Sequence, residues 1–355
     1  MLVSCYKRQS VPPSMACLTQ IQWRPSGKGL VVSMTTYADA AERARKTPMA
    51  PMPQVARGPE IPEAGYVVQE LADGVFWVGD GSFYNMMFVV TDEGVIAVDA
   101  PPTLGHKILR AIRDVTSHPI TQVVYSHQHS DHVGAMSVYP EEAPRYAQRF
   151  TAERLAWLND PNRPQATQVF DDTLTIDGGD HSLQLDYKGP NHAEGNIFIY
   201  TPQQRVLMLV DVIFPGWVPF SNLALSANVP GFVDAQEQTL EYPFEHIVGG
   251  HVNRPGTPDD VRTQIEYTND LRSTTEAALS SVDLQEIMAP IDTLNGWAVF
   301  KTYLDAVAAR ATDELVPRWV ERLGGVDLFT LPNAWAMAEA LRLDYDSMGP
   351  FGIAP

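Results

Sequence analysis

Residues 126–132 read Ser126-His127-Gln128-His129-Ser130-Asp131-His132, which puts four candidate metal ligands, His127, His129, Asp131 and His132, within six consecutive positions. The apolar run Ile120 to Tyr125 precedes them and Gly134 follows, so the stretch falls where a strand hands over to a helix. Imidazole nitrogens and carboxylate oxygens suit zinc and its first-row neighbours, and several of them on one rigid turn make a preformed cage. His127 and His129, two residues apart, project the same way from extended chain. Asp131 and His132 come as the chain turns and reach toward a second ion.

Three more donors lie downstream. His192 sits in the segment Gly189-Pro190-Asn191-His192-Ala193-Glu194-Gly195-Asn196, between two strand-like runs. Asp211 ends the run Arg205 to Val210, and His251 follows Ile247-Val248 and the pair Gly249-Gly250. Each is expected at a strand end or a Gly-bearing turn, where functional side chains are commonly presented. His106, His118, His181 and His246 lack such a setting and read as helix-side, hairpin or strand neighbours.

The pattern resembles the metallo-β-lactamase superfamily, whose hallmark is a His-x-His-x-Asp-His stretch followed by a His, an Asp and a last His. Every element is present here in that order, and the strand-rich lead-in ending at Val98-Asp99 also matches, so the resemblance spans residues 66 to 255. It implies an α/β fold, a four-layered αββα sandwich. It also implies a dinuclear centre in which His127, His129 and His192 hold one metal, Asp131, His132 and His251 hold the other, and Asp211 bridges them. Two divalent ions, Zn2+ first, with iron or manganese as occupants of the same N/O set, are the expected cofactors.

Such a pair, about 3.5 to 4 Å apart, supplies a hydroxide at neutral pH and polarises the bond it attacks. Asp131 is the expected catalytic residue, orienting the nucleophile and passing a proton to the leaving group. By the same resemblance, Asp at 211 points away from metallo-β-lactamases proper, which carry Cys or Ser there. It points toward lactonases, thioester hydrolases, phosphodiesterases and alkylsulfatases. His129 stands where the oxygen-reducing di-iron members carry Glu, which argues against a redox role.

Composition limits the partners. Against 25 Lys and Arg stand 43 Asp and Glu, a formal charge of −18, and proteins that bind a nucleic-acid backbone or an anionic membrane concentrate basic residues instead. A small-molecule substrate is therefore expected, and no nucleic acid. The two cysteines, Cys5 and Cys17, precede the expected folded body, which leaves it without a disulfide or a thiolate metal site. There is no eighteen-residue apolar run and hence no expected transmembrane segment. Lys7-Arg8 is not followed by an apolar h-region, so the expectation is a cytoplasmic protein, with atypical export left open.

Three regions follow from the pattern. Residues 1–65 are Pro-rich and irregular, a leader or arm with one short helix from Thr36 to Thr47. Residues 66–255 alternate short apolar strands with turns and a few helices, as a catalytic domain. Residues 256–355 read as helices, Thr257 to Val282, Trp297 to Leu323 and Ala334 to Leu341, broken at Pro290, Gly324-Gly325 and Pro332 and kinked at Pro317. The stripe Trp297, Phe300, Tyr303 and Leu304 is read as packed on the sandwich, with a cleft wall or a homo-oligomer face as alternatives.

The expected activity is metal-dependent hydrolysis of a carboxylic ester or lactone with an apolar portion. Thioester, β-lactam, phosphodiester or alkyl sulfate hydrolysis, or a non-catalytic metal-stabilised protein, remain as alternatives. The apolar portion is expected against the aromatic segment Val212 to Phe220, and Tyr84, Phe214, Trp217 and Asn222 are the candidate pocket residues. Phe83, Tyr84, Met86 and Met87 form a second apolar cluster on a strand edge, and both clusters either line the cleft or bury against the C-terminal helices. Lys188 and Arg254 are the nearest cations, and they form no cluster for a polyanionic substrate.

Overall fold

In the computed structural model, residues 49–291, 294–347 and 349–351 are described; the helix expected over 36–47 and both cysteines lie outside them. Strand alternation divides one sheet into two buried faces. Along β1 (Val67–Ala72), β2 (Val75–Gly79), β3 (Asn85–Thr91) and β4 (Gly94–Val98), Val78, Met86, Phe88, Val95 and Ala97 enter one core. Val75, Trp77, Met87, Val89, Ile96 and Val98 enter another. Covered on both faces, β2 to β4 read as nearly continuous apolar runs. Met86 and Met87 are fully buried on opposite faces, so the expected apolar cluster beside Tyr84 contributes only Phe83 to an open surface.

Helix α1 (Lys107–Val115) leads to β5 (Ile120–Val124), α2 (Ser130–Val133) to β6 (Arg145–Gln148), and α3 (Arg149–Leu158) to β7 (Gln168–Phe170). The seven strands lie in sequence order, antiparallel from β1 to β4 and parallel from β4 to β7, as crossover connections require. A second sheet follows: β8 (Thr173–Asp177), β9 (Ser182–Asp186), β10 (Phe198–Thr201), β11 (Val206–Met208) and β12 (His246–Val248), in the order β12-β11-β10-β9-β8. Only its β11–β12 pair is parallel.

Three cores separate four layers. Ile108, Ile112 and Leu155 close the outer face of the first sheet. Val89, Ile96 and Val124 meet Leu183, Leu185, Ile199 and Met208 between the sheets. The far face of the second sheet, with Phe198, Tyr200 and Leu207, is covered by helices. These are α5 (Val229–Thr239), which follows the short turn α4 (Ser221–Leu225), then α6 (Pro258–Ser281), α7 (Leu284–Met288), α8 (Gly296–Trp319) and α9 (Val326–Leu343). The result is the αββα sandwich with additional C-terminal helices. No helix among the described residues is long and apolar enough to cross a membrane.

Residues 51–355 form one compact unit. The segment 51–65, grouped with the leader by its prolines, packs on that unit: Ala56 is buried, and its carbonyl accepts from Trp217 Nε1 at 2.9 Å. Tyr303 and Leu304 of the expected stripe are buried in the third core, while Trp297 is exposed.

Several expectations are corrected by packing. Strand β6 carries no apolar alternation; Arg145 is buried and its guanidinium donates to the carbonyls of Tyr139, Pro140, Glu141 and Ala143, so hydrogen bonds rather than hydrophobicity fix it. Strand β7 pairs with β6 as the last strand of the first sheet. Gln148 caps α3 by accepting from Phe150 N at 2.7 Å, and the buried Thr151 hydroxyl donates to Gly195 O. Pro317 and Pro332 lie inside α8 and α9. Burial of Thr330, Asn333, Ala334, Met337 and Leu341 outweighs the roughly 3 kcal/mol that an interior proline costs.

The turn α4 is left-handed. Asn222, Leu223, Ala224 and Leu225 all have φ between 52° and 58°, a conformation that costs L-residues roughly 1–2 kcal/mol each.

Candidate metal centre

All seven candidate ligands come together at the end of the sandwich where β5, β11 and β12 finish. Their donor atoms form two groups, His127, His129, His192 and Asp211 in one and Asp131, His132, His251 and Asp211 in the other, with the atoms of each group within 4.8 Å of one another. One Asp211 oxygen serves each group. Its Oδ2 lies 3.1 Å from His192 Nε2 and 3.7 Å from His127 Nε2, and its Oδ1 lies 3.1 Å from both His132 Nε2 and His251 Nε2. Asp131 Oδ2 stands further out, 3.6 Å from His132 Nε2 and 3.8 Å from His251 Nε2.

Local structure fixes which nitrogen faces inward. Asp99 accepts from Ser126 N at 2.8 Å and from Ser126 Oγ at 2.6 Å, and the same hydroxyl lies 2.9 Å from His127 Nδ1. With its proton given to Asp99, Ser126 accepts from Nδ1–H, which leaves the His127 Nε2 lone pair free. His251 Nδ1 lies 3.2 Å from the Phe83 carbonyl, which only accepts, so its Nε2 lone pair is again left free for a metal. Such outer partners orient metal-binding imidazoles. Asn85 donates to the carbonyls of His251 and Val252. Asn196 ties Asn191, whose Oδ1 accepts from His192 N, to the Val210 carbonyl beside Asp211. Gly250, at φ 81°, has no room for a Cβ, which would meet Val210 Cγ1 at 2.5 Å and His132 Cε1 at 3.1 Å.

The residues fit a pair of divalent ions. His127 Nε2 and Asp211 Oδ1 are buried without a hydrogen-bond partner, and the nitrogens of His129 and His192 (2.9 Å) and of His132 and His251 (3.1 Å) converge. A shared cation satisfies all of these atoms, and the imidazole and carboxylate set suits first-row metals.

Electrostatics distinguish the two groups. Burial, then the neighbouring imidazoles, hold His127 well below the ordinary histidine range and His129 down to about 4. Burial works against protonation of His132 too, but Asp211, Asp131 and Asp99 pull it up to about 9. Burial opposes ionisation of Asp211, yet His132, His251 and His192 hold it well below the carboxylate range. A metal needs neutral imidazole, so His127 and His129 are ligand-ready at neutral pH while His132 must first lose a proton. Affinity at the Asp131–His132–His251 group should therefore rise with pH until about 9, whereas His127 and His129 add no such dependence at neutral pH. Titration calorimetry in buffers of differing ionisation enthalpy should show about one proton released by His132 with the second metal at pH 7. Equal release for both metals would contradict the assignment.

A cavity of about 780 Å³ opens on both groups. His129, Asp131, His192, Asp211 and His251 line it together with Phe83, Tyr84, Phe214, Trp217, Phe220, Leu225, Leu328 and Phe329. The structure thus brings Tyr84, Phe214 and Trp217 to the metal groups. Asn222 does not line this cavity; it lines a neighbouring one with Trp335 and Leu343, because the left-handed turn directs it there. Lys188 is paired with Glu241 and Arg254 with Asp260, and neither lines the cavity. Arg154 and Arg163 do, and so do Leu328 and Phe329 of α9. Nothing in their sequence neighbourhood marks these four residues.

Residues 79–251 match the Metallo-beta-lactamase superfamily model. Over 196 residues the chain is 27% identical to the 2,4-dinitroanisole O-demethylase subunit alpha of Nocardioides sp. (strain JS1661), which covers 53% of this chain and only 58% of that protein. Over 234 residues it is 24% identical to the metallo-beta-lactamase type 2 of Elizabethkingia meningoseptica, covering 61% and 88%. The solved metallo-beta-lactamase from Pontibacter korlensis superposes with a TM-score of 0.49 at 20% identity, covering 57% of this chain and 97% of that one. The ligand order, the sandwich and the profile match together show the metallo-β-lactamase superfamily fold over residues 79–251, with Asp211 linking two candidate metal sites.

Proposed function

We propose that the chain is a dinuclear, zinc-dependent hydrolase acting on a carboxylic ester or lactone with an apolar portion. The observation that carries this reading is the shared cavity, in which both ligand groups face an aromatic and aliphatic wall of Phe83, Trp217, Phe220, Leu225 and Phe329. Phe83, Phe220, Leu225 and Leu328 stay exposed there, an arrangement suited to holding an apolar ligand. The two cations that line it are already engaged: Arg163 pairs with Asp160 and donates to Gln128 O, and Arg154 lies over Trp157. This favours an uncharged acyl or ring portion over a polyanion.

When bound, two divalent ions supply a hydroxide at neutral pH and polarise the bond under attack. The chain supplies the rest. Asp211 holds the two sites at a fixed separation. Asp131 lines the cavity with its carboxylate partly exposed, and this places it to accept a proton and pass it to a leaving group. Burial, then the Asp131 and Asp211 carboxylates, push the Tyr84 phenol up, so it stays protonated and donates to a substrate carbonyl. The aromatic wall excludes water.

One observation favours a second reading. The Nocardioides relative is by its name an O-demethylase of an aryl ether, and an aromatic-walled cavity also accepts an activated aryl ether. Purified protein should be assayed on aryl ester, acyl lactone, thioester, β-lactam, bis-aryl phosphate, alkyl sulfate and nitroaryl methyl ether, each with and without chelator. The first reading expects the highest kcat/KM on ester or lactone, abolished by chelator and restored by zinc. Turnover confined to phosphate or sulfate sinks it, and turnover confined to the aryl ether replaces it with the second.

A further inference from the structure

The left-handed turn α4 contributes to both the metal-facing cavity, through Ala224 and Leu225, and a second cavity of about 900 Å³, through Asn222 and Leu225. We propose that this turn is the specificity-determining wall of the substrate site, with Leu225 limiting the length of the apolar portion and buried Asn333 as the positioning residue that holds it. The proposal rests on the reading that the substrate carries an apolar portion.

Leu225 lines both cavities. It is 61% exposed although apolar, so its side chain stands in the passage rather than in a core. Beyond it the second cavity offers Val229, Pro230, Trp335 and Leu343 among the polar Asn222, Asn228, Glu339 and Asp344, so a hydrocarbon chain that passes the partition finds apolar side chains to lie against. A short acyl or ring portion ends at Leu225, and a longer one meets it.

The backbone that presents Leu225 does not form by local preference. Four consecutive non-glycine residues at positive φ persist only where the surroundings over-determine them. Asn333, fully buried in α9, accepts from Leu223 N at 2.8 Å and donates to the Pro219 carbonyl at 2.8 Å, spanning the turn from its start to its middle. On the other side, Ala227 N donates to the His192 carbonyl and Asn228 N to the Asn191 carbonyl. The turn is thereby locked between a C-terminal helix and the loop that bears a metal ligand. Without the Asn333 amide, Leu223 N–H and Pro219 C=O lose their partners in the interior, an unfavourable state that the turn relieves by relaxing.

The test uses the metal-loaded full chain with p-nitrophenyl esters from acetyl to dodecanoyl, and straight-chain alkyl hydroxamates of the same lengths as binding probes that do not depend on which bond is cleaved. Leu225→Ala should shift the preference to longer chains, raising kcat/KM for dodecanoyl against butyryl by about tenfold or more, through KM, with a parallel shift in hydroxamate Kd and unchanged metal content. Asn333→Ala should flatten the length preference of both series, again through KM with kcat retained. Leu225 packs in no core, so its variant keeps the fold even where Asn333→Ala does not. Length profiles of Leu225→Ala that superimpose on the wild type, with both metals bound, overturn the proposal. If the wild type cleaves no ester or lactone, the proposed reaction falls, and the hydroxamate series alone decides the partition.

Discussion

Asp131→Asn should lower turnover about a hundredfold to ten-thousandfold, the usual loss on removing a positioned proton carrier, while retaining most of its metal. His132→Ala should fail differently, by losing the second ion. The geometry separates the two neighbours. The Asp131 side chain is 42% exposed and lines the cavity, and its oxygen stands further from the histidine nitrogens than the Asp211 oxygens do. His132 is fully buried, does not line the cavity, and points Nε2 at Asp211 Oδ1 at 3.1 Å. Asparagine keeps the shape of Asp131 and removes the charge and the proton acceptor. Alanine at 132 removes a ligand, and excess metal restores occupancy by mass action. Metal content measured beside kcat at low and high zinc distinguishes them. Full recovery of Asp131→Asn with added zinc would make Asp131 a ligand alone.

A chain ending at residue 290 should not fold to a soluble metal-binding protein. In sequence, residues 256–355 read as a helical extension after the last candidate ligand, and that pattern alone does not say how much of the core the helices carry. The packing shows that they share the third core. Tyr303, Leu304, Val307, Leu315 and Trp319 of α8, with Met337 and Leu341 of α9, are buried in the same core as Phe198, Leu207, Val212 and Phe214. Burial of a large apolar side chain contributes roughly 1.5–3 kcal/mol, so these seven together match the roughly 5–15 kcal/mol by which a whole domain is stable. Phe214 in turn stacks on His251, with centroids 6.0 Å apart, so the loss reaches the metal site. Soluble yield, circular dichroism and zinc content of the shortened chain are the measurements. A folded product with two metals would show that the second sheet does not depend on these helices.

The candidate metal ligands were legible because their chemistry is local. Four donors in 126–132 need only one turn to converge, and His192, Asp211 and His251 each end an apolar run that announces a strand. The sandwich was legible for a related reason, since short apolar runs between Asp-Gly-type turns can bury both faces only in stacked sheets. Reading failed where partners are remote or direction matters. Met86 and Met87 look like one cluster but alternate between two cores. Arg145 makes a strand through hydrogen bonds that no apolar pattern records. Pro332 looks like a helix end, yet burial on both sides of it carries α9 through.

The sequence by itself determined which atoms can hold metal and the layered fold that gathers them, because ligand type and strand period are properties of short stretches. Only the tertiary structure decided the cavity. Its wall joins Phe83, Trp217, Leu225 and Phe329 from segments up to 246 positions apart. Asn222 was expected in it, but a left-handed turn held by Asn333, more than a hundred residues downstream, turns Asn222 away and presents Leu225 instead. That choice costs local conformational energy and is stable only against a helix the turn cannot specify.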